Sequence, residues 1–170
     1  MEIIIAEALK GAVLTDKLRE ERIQVYYEML RKLKHCRQND LHYMGFDTEL
    51  IAETIGRWND YLRRSQPING ESPVHEAWRR VMIEGMGVDE RLSIIVKETD
   101  SVLVYHSYNF CPILDACEML NLDTRSICRD IFEPAMRELA MMIHPQLRFK
   151  RNYKNIRPYC NFCEEMFFIP

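Results

Sequence analysis

The chain has 170 residues, one domain's worth. Hydrophobic residues make up 47% and charged residues 29%, which argues against disorder as the main state, and a chain this size needs no staple to fold. The net charge of −3 argues against a phosphate-tracking nucleic-acid binder, and no apolar run reaches the ~18 residues of a membrane span.

The opening run MEIIIAEALKGAVL has no basic leader and is broken by Glu7 and Lys10. It does not read as a secretory signal, so a cytoplasmic location is expected. Thiols there are not first read as disulfides, which leaves the six cysteines to be explained.

Residues 2–13 are expected to form a short helix. A longer one follows Asp16, because Leu18, Val25, Met29, Leu30 and Leu33 recur at helical spacing. Asp47 is the next N-cap candidate, ahead of the stripe Leu50, Ile51, Ile55, Trp58 and Leu62. The polar stretch SQPINGES separates this helix from a third, which Ser72-Pro73 starts and Gly85 and Gly87 end.

The texture then changes. Residues 92–97 and 102–108 are rich in β-branched and aromatic types, and Glu98 to Ser101 reads as the turn of a hairpin. Helices are expected over 112–120 and 124–143, the second kinked or split by Pro134. Strands over 147–153 and 160–169 close the chain. The expected fold class is α+β: a helical N-terminal half (1–88), then a Cys-rich segment (89–170) forming a four-stranded, mostly antiparallel sheet in the order strand-strand-helix-helix-strand-strand. The whole is read as one domain.

No phosphate loop, zincin or serine-hydrolase motif is present. Cysteine placement is the main non-random feature, since Cys111, Cys117, Cys128, Cys160 and Cys163 all lie in the second half. Cys111 ends a strand and precedes Pro112, so it falls near a helix N-cap, where the helix dipole lowers a thiol pKa. His106 on the incoming strand is its candidate base, and Asp115, one turn into the helix, a candidate orienting group. The plain alternative is a buried cysteine at a strand–helix junction.

Metal ligation competes with that reading. Cys160-Asn161-Phe162-Cys163 is half of a common zinc pattern, and one zinc or iron held among Cys111, Cys117, Cys128, Cys160 and Cys163 is an alternative to no cofactor at all. Arg151 and Arg157 flank the Cys-rich end and are candidates to hold a substrate carboxylate.

The runs NFCPILDACEMLN and ICRDIFEPAMRELAMMIHPQLRFKRNYKNIRPYCNF resemble the L-2-amino-thiazoline-4-carboxylic acid hydrolase-like family, over roughly residues 92–170. The shared features are Cys111-Pro112, Cys117, Cys128, the Leu147–Arg151 phrase and Cys160-Asn161-Phe162. Relatives often carry a Gly-Asp and paired cysteines before the last strand, where this chain has Arg157-Pro158-Tyr159-Cys160. The resemblance implies a small-molecule hydrolase that opens a C–N bond in a cyclic amidine-like carboxylate. A distant similarity to vinyl-reductase-like domains implies instead a ligand-binding module with a structural metal. Its pocket would be lined by Met119, Phe132, Met136, Met141, Met142 and Phe149. Expected partners are a small-molecule substrate or ligand and a second copy bound through the N-terminal helices, with no nucleic acid or membrane.

Overall fold

Helical periodicity in the first half translates into buried stripes. In the computed structural model, which describes residues 16–39, 45–67 and 69–170, helix α1 (Asp16–Gln38) buries Tyr26, Met29, Leu30 and Leu33. Helix α2 (Phe46–Arg64) buries Leu50, Thr54, Trp58 and Leu62, and starts from Gly45 rather than from Asp47. The expected helix over 2–13 lies outside the described residues. The indole N–H of Trp58 donates to the Tyr26 hydroxyl at 3.0 Å, tying α2 to α1. These side chains are packed within the chain, whereas Val25 of the expected α1 stripe stays exposed.

Ser72 caps α3 (Pro73–Ala77), which continues as a π-helical segment, Trp78–Gly85. The wider winding shows in the bond from the Met86 amide to the Val81 carbonyl, at 2.9 Å. The Trp78 indole then donates to Ser93 Oγ at 3.0 Å, joining this helix to the sheet.

Strands β1 (Ser93–Glu98), β2 (Val102–Ser107), β3 (Arg148–Asn152) and β4 (Cys163–Phe168) form one antiparallel sheet in the order β1-β2-β4-β3. Between Ile95 and Lys97 the β1 register shifts, a bulge that leaves Val96 without a partner. The last strand is shorter than expected because 158–162 turns before pairing begins.

Alternation divides the sheet into two faces. Leu103, Tyr105, Phe149 and Phe167 are buried beneath the helices. His106, Glu164, Val104 and Met166 occupy the other face.

Between the strand pairs, Cys111 caps helix α4 (Pro112–Leu120), which packs along α1. Asp123 caps α5 (Thr124–Ile127), whose path runs through a π turn, Cys128–Phe132, into α6 (Glu133–Ile143). The expected break thus falls just before Pro134, where the ring fits the first turn of α6. One apolar core spans both halves, with Leu30, Trp58, Trp78, Leu103, Phe132 and Phe167 among its members.

Candidate functional site

A cavity of about 220 Å³ lies between the helical half and the buried face of the sheet. Tyr26, Trp58, Met82, Met86, Ile113 and Met136 supply apolar wall. Asn109, Cys111, Arg151, Arg157, Cys163 and Glu165 gather into one polar cluster, and α1 adds Arg19 and Arg22 to the lining.

Strand alternation explains how charges came to be inside. Arg151 follows Phe149 on the inward face of β3, and Glu165 precedes Phe167 on the inward face of β4. The register sets them opposite each other, and Arg151 Nε donates to Glu165 Oε1 at 2.6 Å. Their side chains are only 11% and 5% exposed, so each ion is stable there chiefly because the other is present. Tyr105, wholly buried next to Glu165, has its hydroxyl pKa raised well above the usual value by burial and by that carboxylate.

Arg157 is placed differently. Its Nη1 donates to the Asn109 carbonyl at 2.6 Å, but it makes no ion pair among the described residues. Asn109 is itself oriented, because its Oδ1 accepts from the Asp89 amide at 2.8 Å.

Cys111 reaches the cavity as the N-cap of α4, half-buried. Burial pushes its thiol pKa up, outweighing the pull of the Leu114 backbone and of the Arg157 and Arg151 guanidiniums. The expected dipole-stabilised thiolate is thus not what this environment favours. Burial also raises Cys117, to about 12, and Cys128 further.

His106 is not the partner of Cys111. It points to the other face of the sheet, where its Nε2 meets Glu164 Oε2 at 2.9 Å and its ring stacks on Phe162 with centroids 4.0 Å apart. The cause is period-two alternation: Ser107 turns to the cavity, so His106 turns away. Asp115 is half-buried outside the cavity wall, with burial raising its pKa.

The thiols also fail to form the expected metal site. Among the described residues, no three His, Cys, Asp or Glu side chains are placed to hold a metal ion. Cys117 and Cys128 are core residues of helical segments. Cys160 sits in the turn before β4 and directs its thiol at the Phe162 carbonyl, 3.0 Å away. Zinc or iron therefore has no fitted ligand set here. Of the six residues expected to line an apolar pocket only Met136 does so, since Met119 and Met142 are exposed.

Glu165 and Asn109 were not legible as site residues from motif reading. The usable signal was a charge at an apolar strand position: Arg151 in step with Phe149, and Glu165 in step with Phe167. No protein-family model matches the chain, and no curated protein or solved structure does either. Among the described residues no helix is long and apolar enough to cross a membrane.

Proposed function

We propose that the chain binds a small, largely apolar molecule in the cavity between its helical half and its sheet. One observation carries this reading: a concave interior space with aromatic and methionine walls and a few convergent polar groups. That combination is the usual make-up of a small-molecule site. A cytoplasmic setting, where the six thiols stay reduced, belongs to the same proposal.

The test uses 1-aminoanthracene, an apolar dye that brightens on leaving water. Wild-type protein is expected to bind it saturably, with a change in Trp58 emission. Leu114→Trp, which fills the cavity from α4, is expected to abolish binding while circular dichroism stays native. Equal dye binding by both proteins would place the dye elsewhere and sink the reading.

Hydrolysis in the same cavity, of the thiazoline-carboxylate type, is a second reading. What favours it is Cys111, one of the residues that carry the family resemblance, on the cavity wall within reach of the Arg157 charge. It requires a base other than His106. Incubation with L-2-amino-thiazoline-4-carboxylate, followed by mass spectrometry for addition of one water, tests it. Turnover lost in Cys111→Ala would support it, and no turnover by wild-type protein would end it.

A further inference from the structure

We infer that the ligand of this cavity carries a carboxylate, and that Arg157 and Asn109 receive it. The inference rests on the binding reading above and adds the ligand's charge.

Hydrogen-bond bookkeeping points first to an acceptor. Four residues that line the cavity have a buried side-chain nitrogen without a hydrogen-bond partner: Arg157 Nε, Arg151 Nη1, Asn109 Nδ2 and Arg19 Nε. All four atoms are N–H donors, and among the described residues no buried side-chain oxygen or nitrogen of the lining is an unpartnered acceptor. A buried donor left unmade costs about 1–3 kcal/mol, more when it is charged. The complement to a donor-only surface is a group that only accepts, and an ionised carboxylate is such a group.

The charge balance points the same way. Arg151 is neutralised by Glu165, and the lining carboxylate of Asp89 is taken by Arg91 Nη2 at 2.6 Å. Among the described residues Arg157 has no carboxylate within ion-pair distance, and the same holds for Arg19 and Arg22, which line the cavity from α1. A guanidinium drawn into a low-dielectric wall is unfavourable without a counter-charge. The fork of Arg157 cannot swing freely, because Nη1 is anchored on the Asn109 carbonyl. Asn109 cannot flip, because its Oδ1 is held by the Asp89 amide. Two donors are thereby fixed on one side of the cavity before any ligand arrives, which lowers the ordering cost of binding.

The remaining wall defines the rest of the ligand. Trp58, Tyr26, Met82 and Met136 offer no charge, so the body facing them is an aryl or short alkyl group. Cys111 and Cys163 flank the acid end and lie close enough to Arg157 to feel its charge.

The test compares matched acids and primary amides on one skeleton: 3-phenylpropanoate with 3-phenylpropanamide, and hexanoate with hexanamide. Binding is read by calorimetry and by thermal shift at pH 7. The acid of a pair is expected to bind roughly ten- to a hundredfold more tightly than its amide, the worth of one charge-assisted hydrogen bond. Arg157→Met should bring the acid down to the amide's affinity and leave the amide unchanged. If Arg157→Met does not fold, Asn109→Asp keeps the acceptor for the Asp89 amide and places a negative charge in the same corner. It should abolish acid binding and spare the amide. Acid and amide binding equally to wild-type protein would overturn the carboxylate and leave the cavity reading standing. Neither compound binding, with the dye also excluded, would overturn the cavity reading itself.

Discussion

At the scale of single residues, the sharpest placements come from side chains that complete backbone hydrogen bonds. Asp123 caps α5 by accepting from the amides of Arg125 and Ser126, both at 3.2 Å, and from the hydroxyls of Ser126 and Tyr159 at 2.6 and 2.7 Å. The bonds from Ser126 and Tyr159 lead in lowering its carboxyl pKa from 3.8 to about 2. The folded value lies below the unfolded one, so the cap's charge-dependent contribution is complete above pH 3.8. It is lost as the pH falls through about 2. Between those limits the urea midpoint of wild-type protein should fall more steeply than that of Asp123→Asn, which keeps an oxygen acceptor but cannot titrate. Parallel acid limbs would mean that Asp123 does not set the slope. Residue roles of this kind were the least legible in the sequence. His106 and Cys111 are five positions apart, near enough to suggest a pair, yet one step of strand alternation sends His106 to the opposite face. His75 likewise receives its partners from the fold, Glu98 from the hairpin and Glu71 from the preceding loop.

At the scale of elements, helical periodicity and turn chemistry carried most of the fold. Asp16, Ser72-Pro73, Cys111-Pro112 and the turn after Glu98 all lie where an element starts or a hairpin reverses. The two π-helical segments were not legible, because a stripe at spacings of three and four looks the same through a locally wider turn. They matter to the cavity, since Met82 lies in one and Cys128 in the other. Gly85 marks the first. A methyl group there would sit 2.6 Å from the Arg80 carbonyl oxygen and 3.2 Å from the Tyr61 backbone, neither of which belongs to a flexible side chain. Gly85 thus permits the close approach of this segment to α2, a role hidden behind its appearance as a helix terminator. Gly85→Ala should destabilise the protein by roughly 1–3 kcal/mol, as overpacking does. Chemical denaturation checks this, and a change within error would show that α2 can move aside without cost.

At the scale of the whole molecule, fold class and strand content were legible but strand order and the cavity were not. Hydrophobic alternation says which side chains share a face, not which strands are neighbours. The order β1-β2-β4-β3 places the last strand inside the sheet and leaves the first, β1, at an edge. The cavity depends on long-range packing, with wall from α1 and α2 and polar groups from β3, β4 and their connection, so no local pattern announces it. The bulge in β1 has a consequence for how the molecule behaves among its copies. Ile94 and Val96 are about half exposed on that edge strand, which otherwise offers a row of backbone groups to any passing chain. The unpaired Val96 keeps the edge from being straight, and it leaves Lys97 opposite Val104 and Glu98 free to meet His75. Deleting Val96 would preserve every one of those pairings while straightening the strand. The shortened protein should then associate as its concentration rises, in sedimentation experiments where the parent does not change. Equal behaviour of the two would show that Lys97 and Glu98 guard the edge without the bulge. On this view a single extra residue is what keeps β1 from taking on a fifth strand.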